Sequence, residues 1–88
     1  MSNIMLDDIK TYLSVQDLAV KLIVSSFNNP DFEDVFNIGV EMTYNSSSYL
    51  DKLKNEYVNG KLSKEQFIRL YAAAALMKAS DELMNFMD

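Results

Sequence analysis

Residues 28–60 read NNPDFEDVFNIGVEMTYNSSSYLDKLKNEYVNG. The stretch opens on Asn28-Asn29-Pro30. Proline fixes φ near the helical value and is favoured in the first turn of a helix, so Pro30 predicts a helix start, with Asn29 as its cap. Asp31, Glu33 and Asp34 follow, where the positive end of the helix dipole favours carboxylates. It closes on Asn59-Gly60, glycine being the residue that tolerates the left-handed conformation that ends a helix. Between these signals a largely apolar pattern recurs at a spacing of seven: Phe32, Gly39, Ser46 and Leu53 in one row, Val35, Met42, Tyr49 and Glu56 in another. The phase carries through Asn45-Ser46-Ser47-Ser48, although those four residues would pass for a loop. The pattern predicts one long helix over residues 31–58; a break near Asn45 is the alternative.

Ser63-Lys64-Glu65-Gln66 has the form of a capping box, with Ser63 as the cap and Gln66 reaching back to it. It predicts a last helix over residues 64–87 with the stripe Phe67, Leu70, Tyr71, Ala74, Met77, Met84 and Met87. The short connection makes the two helices an antiparallel hairpin. Upstream, Leu6, Ile9 and Leu13 mark a helix over residues 4–13. Ser14-Val15-Gln16-Asp17 resembles a second cap, followed by Leu18, Ala19, Leu22 and Ile23, so the N-terminal part forms one helix or two. The expected fold is all-α: residues 1–88 as one small helical bundle built around the hairpin. Phe32, Phe36, Leu53, Phe67, Leu70 and Met77 are the expected core.

Composition agrees with this fold class. Of 88 residues, 49% are apolar and 24% charged, with two Gly and one Pro, which suits long helices rather than a sheet rich in turns. The chain has no His and no Cys. A Cys/His zinc site, a thiol nucleophile and a Ser-His-Asp triad are thereby excluded. Asp7-Asp8 and Asp81-Glu82 are adjacent pairs whose members point to different helix faces, and Asp31 and Asp34 are accounted for by helix-start chemistry. Gly39 and Gly60 form no phosphate-binding loop. Neither catalysis nor a cofactor is expected.

The formal net charge is −5, and its imbalance lies in the first half. Residues 1–44 hold Asp7, Asp8, Asp17, Asp31, Glu33, Asp34 and Glu41 against Lys10 and Lys21, whereas residues 45–88 balance acids and bases. Direct nucleic-acid binding needs clustered Lys and Arg and is not expected. Asp7, Asp8, Asp31, Glu33, Asp34 and Glu41 form a candidate acidic patch that would suit a basic protein surface. No apolar run approaches the ~20 residues of a membrane span. The start, Met1-Ser2-Asn3-Ile4, has no basic stretch ahead of its apolar residues, so an intracellular protein is expected. Abundant Asn and Lys over Arg associate with AT-rich genomes, such as those of phages and mobile elements.

Two features point to contact with other chains. Ala72-Ala73-Ala74-Ala75 places small residues on every side of one turn. Leu83, Met84, Phe86 and Met87 make an apolar end. The candidate partner or dimer surface is therefore Ala72, Ala73, Ala75, Leu76, Met84, Phe86 and Met87, and close packing against Gly39 or Ser46–Ser48 is the competing account of the alanines. A helix over 31–58 would measure about 42 Å, against a radius of gyration of about 12 Å for a compact chain of this size. A homodimer is expected to cover the surplus, with Ala73→Glu or Ala75→Glu weakening it without unfolding the hairpin. The functional expectation is a non-catalytic, acidic protein–protein interaction module, an adaptor or inhibitor. The alternatives are a nucleic-acid mimic that blocks a basic site, and a structural homo-oligomer or assembly subunit.

Overall fold

The computed structural model describes residues 6–87, with side chains described from Ile9 to Phe86. Four helices follow one another: α1 (Leu6–Ser25), α2 (Phe32–Tyr44), α3 (Ser46–Val58) and α4 (Lys64–Met87), and no strand occurs among the described residues. The expected all-α bundle is present.

The local signals near α4 act as read. The Ser63 hydroxyl accepts from the Gln66 backbone N–H at 3.1 Å, and the Ser63 N–H donates to Gln66 Oε1 at 2.9 Å. Upstream, α3 closes in a Schellman turn. Gly60 at φ 75° donates to the Tyr57 carbonyl, and Lys61 donates to that of Glu56. Gln66 has a second task, because its Nε2 donates to the Ser26 carbonyl at 2.9 Å and so ties α4 to the end of α1. Gln66→Ala should lower the unfolding free energy by about 1–2 kcal/mol. Gln66→Glu keeps the cap acceptor and loses only the donor to Ser26, so it should recover part of the loss. An unchanged denaturation midpoint for the alanine variant would contradict both roles.

Of the two N-terminal readings, the single continuous helix is the one present. Three other expectations are corrected. Ser14 caps nothing and instead donates its hydroxyl to the Lys10 carbonyl at 2.8 Å. The cap of α2 is Asp31, whose carboxylate accepts from the Asp34 N–H at 2.8 Å, while Asn29 sits at φ 51° in the preceding turn. Third, the stretch 31–58 is two helices. Asn45, at φ −129° and ψ 43°, closes α2 by donating to the Glu41 carbonyl and opens α3 by accepting from Tyr49.

The break at Asn45 redirects the chain so that α2 and α3 both seat on α4 and open a cleft between them. Asp34 and Glu56 line the same cleft; in a straight helix they would stand about 33 Å apart. The apolar phase nevertheless continues across the break because both arms pack on the same partner, α4. Buried Met42 of α2 and buried Tyr49 and Leu53 of α3 share the core with Leu70, Ala73, Ala74 and Met77 of α4. The phase reports the shared partner rather than the continuity of a helix.

Helix α4 is the hub. It packs against α1, α2 and α3, while α1 and α3 do not meet. Around it the order is α1, α2, α3. Antiparallel α1 contributes Ala19 and Ile23, and Arg69 Nη1 donates to the Ser25 carbonyl at 3.2 Å. A helix with neighbours on three sides cannot be amphipathic in the ordinary sense, and this explains the alanine run. Ala73 and Ala74 are fully buried and let the surrounding helices approach closely. Ser80 is also buried and satisfies its hydroxyl on the Leu76 carbonyl. The molecule is elongated, 47 × 25 × 20 Å, along the direction that a 24-residue hub imposes.

Phe67 is half-buried. Its ring stacks on Tyr57 at 4.6 Å and meets Tyr71 edge-on at 5.8 Å, joining α3 to α4 near their shared turn. Leu53, Leu70 and Met77 lie in the core as expected. Phe32 and Phe36 do not.

Candidate docking groove

Helix α2 carries two apolar rows. One, with Val35, Ile38 and Met42, faces the core. The other, Phe32, Phe36, Val40 and Tyr44, runs at i, i+4 spacing along the side of the helix and is exposed: 83%, 59%, 39% and 72% respectively. The Phe32 and Phe36 rings stack on each other at 6.1 Å, so each finds in the other the neighbour that the core does not supply. Expecting these two in the core is therefore corrected. The core row already fills the contact of α2 with α4, and one helix cannot turn both rows inward.

The second row is one wall of a groove of about 650 Å³. The opposite wall is the i, i+4 row Tyr12, Gln16, Val20 and Val24 of α1, and Met77 and Asp81 of α4 contribute to the lining. Its shape follows from the hub arrangement. Helices α1 and α2 both seat on α4 and make little contact with each other, which leaves a trough between them. Gly39 lies at mid-length, where a Cβ added to it would stand 3.5 Å from the Met77 methyl, an ordinary contact. Gln16 Nε2 donates to the Tyr12 hydroxyl at 2.9 Å, so the polar groups on the α1 wall satisfy each other.

Among the described residues the charged lining is acidic: Asp31 and Asp81 are its carboxylates, and no Lys or Arg lines the groove. Neither takes part in the ion pairs formed among the described residues, Lys21–Asp17 and Arg69–Glu65. The Met77 side chain reaches Gly39, and Asp81, one turn beyond Met77 on α4, lines the groove together with Thr43 and Tyr44 at the C-terminal end of α2. The two carboxylates thus mark opposite ends of the groove, separated by about 18 Å of helix.

On its other side α2 meets α3 across a cleft of about 500 Å³ that includes Asp34, Asn37, Glu41, Tyr49, Lys52 and Glu56. Tyr49 is 6% exposed, and its hydroxyl is pushed up to about 12, first by burial and then by the charges of Glu41 and Glu56. The folded state holds the neutral phenol more firmly than the unfolded chain, whose tyrosines titrate near 10. This contribution is complete below pH ~10 and is lost as pH rises toward ~12, at roughly 2 kcal/mol across the window. Stability measured by denaturant titration should fall over that range, and Tyr49→Phe should flatten the fall. Equal slopes for the two proteins would contradict this placement of the hydroxyl.

The residues singled out from the sequence divide among several surroundings. Ala73 is fully buried inside the chain's own bundle and is not available to another chain. Ala72, Leu76 and Met84 are half-buried, and Ala75 and Phe86 are exposed. The acidic residues of α2 do not share one face: Asp31 lies at the groove, Asp34 and Glu41 line the α2–α3 cleft, and Glu33 is exposed in the first turn. The side chains of Asp7, Asp8 and Met87 fall outside the described residues. Among those described, no group of three or more carboxylates is placed to hold a metal ion, and no helix is long and apolar enough to cross a membrane.

Reasoning from sequence missed the Phe32–Phe36–Val40–Tyr44 row because aromatic residues default to the core. The signal was present, since FEDVFNIGVEMTY has more apolar positions than one packed face of a short helix can use. Compared with protein-family models, curated proteins and solved structures, the chain matches none.

Proposed function

We propose that this chain is a non-catalytic protein-interaction module that seats an amphipathic segment of a larger partner in the α1–α2 groove. The observation that carries the reading is the exposed row Phe32, Phe36, Val40 and Tyr44 facing Val20 and Val24 across the trough. Scattered apolar residues on a surface need no explanation, but a contiguous patch walled by two helices does. A trough with apolar walls of this kind takes an amphipathic helix, whose own side chains at i, i+4 and i+7 anchor against the lining. The division of the α2 acids between two faces also favours this reading over nucleic-acid mimicry, which calls for acids strung along one outer face.

The test is a parallel capture from the native host with the wild-type chain, Phe36→Glu, and Val58→Glu as a control. Val58 is 81% exposed and lies away from the groove. A protein held by wild type and by the Val58 variant but lost with Phe36→Glu is the expected result. An identical set of captured proteins for all three chains would overturn the reading.

A further inference from the structure

Resting on the docking reading above, we infer that the groove takes a cationic amphipathic helix, one whose apolar stripe is flanked at both ends by Lys or Arg. The groove is apolar along its length and acidic at its two ends, where Asp31 and Asp81 lack an ion-pair partner among the described residues. An occupant helix that reaches both carboxylates spans about 18 Å, or about 12 residues. It presents large apolar side chains to Phe32, Phe36 and Val40 and places a cation near each end.

Charge argues against a second copy in the same seat. No Lys or Arg occurs between Lys21 and Lys52, and α2 itself carries Glu33, Asp34 and Glu41. Two copies meeting α2 to α2 would set like charges together and leave Asp31 and Asp81 unmatched. A basic helix supplies the missing charge and the missing apolar cover at once. Charge complementarity of this kind sets the choice of partner and the rate of encounter, while the apolar stripe supplies most of the affinity.

The probe is a dye-labelled synthetic peptide of about 16 residues, long enough for the ~18 Å span, with Leu at i, i+4, i+7 and i+11, two Lys at each end, and Ala and Gln elsewhere. Its counterpart has Glu in place of every Lys. Fluorescence anisotropy against the full chain should show the Lys peptide binding at least about tenfold more tightly than the Glu peptide at low salt, with the gap closing as salt rises. Asp31→Asn with Asp81→Asn should reduce that discrimination by about fivefold, and because Asn still caps a helix, the fold should be unaffected. Phe36→Glu should abolish binding of the Lys peptide.

Equal binding of the two peptides, both lost with Phe36→Glu, would overturn the inference while leaving the docking groove in place. A dimer in analytical ultracentrifugation that Phe36→Glu dissociates would overturn both the inference and the larger-partner reading, by making a second copy the occupant. A monomer that binds neither peptide would remove both the inference and the reading beneath it.

Discussion

Ala73→Glu is expected to leave the chain unfolded. Ala73 is fully buried on the hub helix, among Leu70, Ala74 and Met77. A glutamate there has no room and no counter-charge, because the core residues around it are apolar. Burying an unpaired carboxylate and overpacking the core together exceed about 4–5 kcal/mol, which is close to the whole stability of a domain this small. Far-UV circular dichroism should show loss of the helical spectrum. Ala75→Glu, two residues on and on the exposed opposite side of α4, should leave the spectrum and the midpoint nearly unchanged. The contrast separates the structure from the expectation drawn from the sequence, under which both variants would act only on self-association. A folded Ala73→Glu chain would mean that α4 is not surrounded on three sides.

Leu53→Ala is expected to have the next largest effect, a loss of about 2–5 kcal/mol. Leu53 is 2% exposed and is a main core residue of α3, beside Tyr49. Because α3 is short and joined to α2 by the single residue Asn45, it depends on this contact for its seat on α4. The denaturation midpoint should fall with the m-value unchanged. A loss below about 1 kcal/mol would indicate that α3 contributes little to the core.

What the sequence disclosed was mostly local. The capping box at Ser63 and Gln66 and the stop at Asn59-Gly60 act within one turn of chain, and the structure uses them as read. The break at Asn45 was harder to see. Its cue, the run Asn45 to Ser48, was outweighed by an apolar phase that persists because α2 and α3 share a partner. The alanine run also looked like a surface, since no single-helix pattern shows that α4 has three neighbours. Phe32 and Phe36 were hidden by their type. A large aromatic in a periodic row is assigned inward unless the helix is seen to have another row that fills the core, and Val35, Ile38 and Met42 are that row. Of the misplaced residues, Phe32 and Phe36 are the ones on which the functional reading now rests, as expected where local preference and fold disagree at a binding surface.

The aromatic row of α2 is exposed and is not needed for folding, which chemical denaturation of Phe32→Ala/Phe36→Ala puts to the test. With both rings exposed, the double variant should keep its helical spectrum and lie within about 1 kcal/mol of wild type. A loss of about 6 kcal/mol or more, the sum for two core phenylalanines, would place the rings inside the bundle and leave no groove to fill.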